Sequence, residues 1–237
     1  MKKIIFFLFS SFLLANVNVA MSANLAVLKD ELIKEFNKLY PNVKVNTFIG
    51  SSGLLVAQIS RGAFYDVFLS ADKEHPLFLY KKGLAFTQPI VYAKGGIVLF
   101  SRKRIASINN LSKIAIANPK IAPYGKAAIK FLEKIDFPKS RIVYTQNVSQ
   151  LIFYGLNVVD GVIIPKSSIK VLKYDKSHFY EIPKKFYSPI EQSMVILRRA
   201  IKNKDAFLFF GFILSKPAQE IFKKYGYDWF YSFDFIF

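Results

Sequence analysis

Four times along this chain a short run of apolar and β-branched residues ends in a small polar turn and passes at once into a helical pattern. Residues 16–20 lead into Ser22-Ala23-Asn24, after which Leu25, Leu28, Leu32, Phe36 and Leu39 recur at helical spacing. Residues 43–48 lead into Gly50-Ser51-Ser52-Gly53, then Leu54, Leu55 and Ile59. Residues 114–117 lead through Asn118-Pro119 and Ala122-Pro123-Tyr124-Gly125 into a helix on Ala127, Ala128, Phe131 and Leu132. Residues 142–144 lead to Asn147 and a helix on Leu151, Ile152 and Leu156. Strands that alternate with helices pair in parallel, because each helix carries the chain back to the starting edge of the sheet. The pattern predicts an α/β fold, and ligands of such sheets sit beyond the carboxyl ends of the strands.

The turn at Gly50-Ser51-Ser52-Gly53 is the sharpest of the four. The helix after it has no charge in its first turn. Small residues there leave the first N–H groups open, and such groups attract anions. Asn24 stands where a helix N-cap belongs, and capping is the plain reading of it. Asn147 is expected to cap in the same way.

An extended stretch at 90–100 contains Gly95-Gly96 and suits a strand crossing to a second lobe; residues 193–197 suit a return strand. Two apolar helices follow, at 205–214 and 216–222, closed by Tyr225-Gly226-Tyr227. The expected division is a leader at 1–15, lobe I at 16–86 and 200–237, and lobe II at 87–199. The aromatic tail at 228–237 reads equally as an extra strand or as a partner patch.

Met1-Lys2-Lys3 followed by an apolar run from Ile4 to Leu14, with the small Ala15 at its end, reads as a secretory signal peptide. The run falls short of the ~20 residues that span a bilayer. There is no cysteine, so neither a disulfide nor a lipidated cysteine is available. The expectation is a soluble periplasmic protein, freed from its leader and monomeric. A net charge of +18 raises the question of nucleic acid. The basic residues are scattered in pairs rather than gathered in one run, and an exported chain meets little nucleic acid. A solvated cationic surface with a general pull on anions is the expected meaning.

Catalysis finds little support. His75 follows Asp72 in a helical segment and His178 lies in a charged loop, and both read as surface residues. Ser51-Ser52-Gly53 lacks the flanks of a nucleophile elbow. Asp66 and Asp72 read as structural strand-end carboxylates. No enzyme, cofactor or resident metal is expected.

The motifs, taken in order, resemble those of the periplasmic molybdate-binding proteins of ABC importers. They are Ser22-Ala23-Asn24-Leu25, Gly50-Ser51-Ser52-Gly53-Leu54, Asp66-Val67-Phe68-Leu69-Ser70-Ala71-Asp72, Asn118-Pro119 with Ala122-Pro123-Tyr124-Gly125, Asn147-Val148, and the run from Ala218 to Tyr227. The resemblance covers nearly the whole mature chain. It implies a two-lobed type II binding-protein fold, each lobe a mostly parallel sheet flanked by helices, with the ligand in the cleft. It implies molybdate or tungstate as ligand, held without counter-charges, and an inner-membrane ABC permease as partner. Carried over residue by residue, it implies Asn24 and Ser52 from the first lobe, backbone N–H groups at Tyr124 and Val148 from the second, and Ala23 as a further backbone donor. A tyrosine hydroxyl that some members offer from the strand after Gly161 is absent, since Ile163-Ile164-Pro165 stands there. Other expected ligands for such a receptor are sulfate, phosphate or another tetrahedral oxyanion. A cationic adhesion or membrane-contact protein is the remaining rival.

Overall fold

The computed structural model describes residues 15–146 and 148–228. The leader before Ala15, the cap expected of Asn147 and the aromatic tail beyond Asp228 lie outside them. Among the described residues ten strands form two five-stranded sheets. The first has the order β2-β1-β3-β10-β4, from β1 (Ala15–Ser22), β2 (Val43–Gly50), β3 (Val67–Leu69), β4 (Ile90–Gly95) and β10 (Ile190–Ile196). The second has the order β7-β6-β8-β5-β9, from β5 (Ile97–Phe100), β6 (Ile114–Ala117), β7 (Ile142–Thr145), β8 (Gly161–Pro165) and β9 (Phe179–Glu181). Seven helices flank them. They are α1 (Lys29–Leu39), α2 (Ser52–Ser60), α3 (Glu74–Lys81), α4 (Pro123–Lys134), α5 (Val148–Asn157), α6 (Lys204–Leu214) and α7 (Lys216–Lys224). No helix among the described residues is long and apolar enough to cross a membrane.

Each lobe is a three-layer sandwich, because its strands are buried on both faces and need cover on both. In the first lobe Val17, Val19 and Met21 pack with Phe36 of α1, Phe209 and Ile213 of α6, and Phe222 of α7. Ala20 and Phe68 face the other way, onto Leu55 and Ile59 of α2 and Leu79 of α3. In the second lobe Ile114 and Ile116 meet Phe131 and Leu132 of α4, while Ala115 and Val162 meet Leu151 of α5.

The parallel pairs are those that helices connect: β1 with β2 and β3, and β6 with β7 and β8. The remaining pairs, β10 with β3 and β4 and β5 with β8 and β9, are antiparallel. In each sheet four strands therefore run one way and a single strand, β10 in the first and β5 in the second, runs against them, so each is mostly parallel as expected. The reversal comes from the crossing: strands that carry the chain between lobes run straight through without a helical return. The crossing stretch splits at Gly96 into β4 in the first sheet and β5 in the second. The sequence boundaries at 86/87 and 199/200 put both β4 and β10 in lobe II, whereas hydrogen bonding puts both in the first sheet. An apolar strand looks alike in either sheet, so composition could not place them.

The first helix also starts later than expected. Ala23–Leu25 form a single 3-10 turn, and α1 begins only at Lys29. Asn24 lies inside that turn and caps nothing.

Two glycines should respond to alanine with opposite signs. At Gly125, inside α4, a Cβ would stand 2.2 Å from the carbonyl oxygen of Ala117, which is rigid strand backbone. At Gly211, inside α6, a Cβ meets nothing within 4 Å. Alanine inside a helix ordinarily gains about 0.5–1 kcal/mol over glycine, while overpacking costs about 1–3 kcal/mol. Denaturant melts should show Gly211→Ala stabilised by roughly the first amount and Gly125→Ala destabilised by roughly the second.

Candidate functional site

The carboxyl ends of β1, β2 and β6 and the first residues of α2, α4 and α5 face one another across the two lobes. They enclose a cavity of about 20 Å³ lined by Ser22, Ala23, Asn24, Ser51, Ser52, Ala71, Ala117, Ala122, Pro123, Tyr124 and Val148. All five expected residues, Ala23, Asn24, Ser52, Tyr124 and Val148, are brought together there. No lining residue carries a charge, in a chain whose net charge is +18.

Local chemistry explains the donors. Ser52 is the first residue of α2 and is 1% exposed. Its Oγ accepts from Ala71 N–H at 3.1 Å, which leaves its own proton to be donated. Pro123 opens α4 and has no N–H, so the first N–H of that helix belongs to Tyr124. Neither α2 nor α4 is capped by a side chain at its start. Val148 opens α5. The site thus gathers three helix starts, each with the partial positive charge of unpaired N–H groups. Two of those starts come from the second lobe.

One N–H of the sharp turn is spent elsewhere. Gly53 N–H donates to the carbonyl of Ile121, across the cleft, at 3.2 Å. A Cβ on Gly53 would stand 3.2 Å from that same oxygen. Glycine at this position therefore admits the opposite lobe as well as a small turn.

Asn24 behaves differently from expectation. Its Nδ2 donates to Gln192 Oε1 and to the Tyr227 hydroxyl, both at 2.8 Å. Both amide protons are consumed by protein partners, so the part of Asn24 left for a ligand is its backbone. The partners form a buried uncharged network beneath the cavity. Gln192 Oε1 also accepts from Tyr92 at 3.1 Å, and Gln192 Nε2 donates to the Tyr124 hydroxyl at 3.2 Å. Ser167, which follows β8, donates to the Asn24 carbonyl at 3.1 Å. Burial pushes the hydroxyl pKa of Tyr92, Tyr124 and Tyr227 upward, so all three stay neutral. Gly95 makes room for this join, since a Cβ there would lie 2.3 Å from the Tyr124 hydroxyl.

Gln192 and Tyr92 gave no sequence signal beyond being polar groups in apolar strands. Tyr227 stood in a quoted motif without a role. The two histidines are partly buried rather than on the surface. His75 Nδ1 lies 2.7 Å from Asp72 Oδ2, and its Nε2 faces Gly53 at the cleft rim. Burial raises the Asp72 carboxyl, but bonds from His75 outweigh it and hold the group below its usual range. His178 Nδ1 lies 2.9 Å from the Ser101 carbonyl. Asp66 takes the Asn18 N–H and Arg199, and Asp72 takes His75, so the two carboxylates do not pair. Among the described residues no group of three or more His, Cys, Asp or Glu could hold a metal ion.

Residues 17–228 match the family model described as bacterial extracellular solute-binding protein. The chain is 32% identical to the molybdate-binding protein ModA of Azotobacter vinelandii over 228 residues, covering 90% of each. It is 30% identical to ModA of Rhodobacter capsulatus over 227 residues, covering 89% of this chain and 87% of the relative. The solved structure of the A. vinelandii periplasmic molybdate-binding protein superposes with a TM-score of 0.83 at 29% identity, over 90% of this chain and 98% of that one. These relatives bind solutes and are not enzymes.

Removing the central amide should loosen the join. Gln192→Leu leaves the Asn24 amide and the Tyr124 hydroxyl each short of a partner in a dry site, a loss of about 1–3 kcal/mol. A thermal melt of the unliganded variant should show that loss, and an unchanged melt would mean the network is not holding the lobes.

Proposed function

We propose that this chain, which belongs to the family of bacterial extracellular solute-binding proteins, binds molybdate between its lobes and delivers it to an ABC permease of the inner membrane. Tungstate, of the same charge and shape, is bound by the same groups. The protein works in the periplasm as a monomer after loss of its leader. The carrying observation is the small, uncharged cavity into which both lobes bring helix starts and the Ser52 hydroxyl. The likeness to two molybdate-binding proteins over most of the chain supports the same reading.

The chemistry follows from the donor set. Neutral donors at helix starts stabilise a dianion through partial positive charge and leave no counter-ion to be displaced on release. Ser52 donates its hydroxyl proton, and the N–H groups of Ala23, Asn24, Tyr124 and Val148 complete the shell. A fully deprotonated tetrahedral anion suits such a site. Hydrogen phosphate brings an O–H that needs an acceptor, and leaving it unmet costs about 1–3 kcal/mol. Closure of both lobes on the ligand gives the permease a shape that signals occupancy.

The test is a set of melts with molybdate, tungstate, sulfate and phosphate. At ~100 times Kd a ligand adds about 2.7 kcal/mol, which for a chain of this size is roughly 5–10 °C. That shift is expected with molybdate and tungstate and not with phosphate. Ser52→Ala should weaken molybdate binding at least tenfold, removing about 1.4 kcal/mol of the added stability. No shift with any of the four anions would sink the proposal, and a full shift in Ser52→Ala would remove Ser52 from the site.

A further inference from the structure

Serine is a favoured N-cap because its hydroxyl accepts from an open N–H of the first helical turn. Ser51 occupies that position before α2, with the extended backbone of a cap (φ −66°, ψ 148°). Its side chain nevertheless makes no cap bond. The Oγ is buried, the residue is only 6% exposed, and no described group bonds the hydroxyl. A buried hydroxyl without a partner carries a penalty that the fold has no local reason to keep. Ser51 also lines the cavity beside Ser52, Ala23 and Asn24.

The same residue lines a larger neighbouring groove of about 560 Å³, with Ala23, Gly53, Leu54, Ile121 and Gln146. Ser51 thus lines both the groove and the cavity. Its neighbour Ser52 is already committed as an acceptor to Ala71, whereas Ser51 is committed to nothing.

We propose that the Ser51 hydroxyl is a further donor to the bound oxyanion, placed where the cavity adjoins the larger groove. This rests on the molybdate reading given above and deepens it: α2 supplies two hydroxyl protons in succession, and the second is satisfied only when the anion is present. The hydroxyl that would ordinarily hold the helix start is kept for the ligand.

The experiment compares wild type with Ser51→Ala by calorimetric titration with sodium molybdate and with sodium phosphate, alongside melts without ligand. The expected result is a molybdate Kd at least tenfold higher in the variant, about 1.4 kcal/mol, with an unliganded melt equal to or above that of wild type. A molybdate Kd within twofold of wild type overturns the proposal. So does an unliganded melt that falls as a lost cap would, since the hydroxyl would then be structural. Weakened phosphate binding with unchanged molybdate binding also overturns it, because Ser51 would then be an acceptor. If wild type binds neither anion, the molybdate reading itself fails, which the wild-type titration alone reveals.

Discussion

The side-chain amide of Gln192 is the point on which the two lobes agree. It sits on β10 in the first sheet, is fully buried, and reaches three elements at once. Its oxygen orients Asn24 and Tyr92 within its own lobe, and its nitrogen takes hold of Tyr124 from the other. A slip in the pairing of β10 with β4 falls at this residue, between Gln192 and Ser193. Such irregularities re-aim a side chain, and here they coincide with the one glutamine that must face three partners. A hydrogen-bonded network inside a dry core is valuable only when every member is satisfied. This one is neutral throughout, so it can be buried without the heavy desolvation penalty of a salt bridge.

The same economy governs the cavity. A single lysine in it would attract any anion and would have to be desolvated together with its ligand. Helix starts attract anions without a mobile charge, and they point one way. The chain's many cations are left on the surface, where ion pairs such as Lys224–Glu31 and Lys126–Glu74 are exposed and add little. Global charge and local charge are thereby separated: the surface gathers anions, and the cavity chooses among them.

Part of the site was legible because its chemistry is local. A turn of glycines and serines before an uncharged helix declares an open N–H within a few residues of sequence. Ser52 was readable for that reason, whereas Tyr124 and Val148 were expected only from the family resemblance; all three line the cavity. Asn24 lines the cavity as expected, but the cap that its position suggested is not made, since an asparagine before a helical pattern looks like a cap whether or not its amide is taken by a residue 168 positions away. Gln192, Tyr92 and the carbonyl of Ile121 act over long sequence distances, and nothing beside them in the chain announces it. The division of strands between sheets was hidden for the same reason: register is a property of pairs.

The bond from Gly53 to Ile121 spans the cleft using backbone alone. It links the first turn of α2 to the turn that leads into α4. Together with Gln192–Tyr124 it joins the two lobes through protein atoms alone. Apparent affinity is the intrinsic affinity scaled by the share of molecules already in the competent shape. A contact that never touches the solute therefore tunes the tightness of capture to the extent that it biases that share, and evolution could retune the receptor's working range there without altering what it recognises.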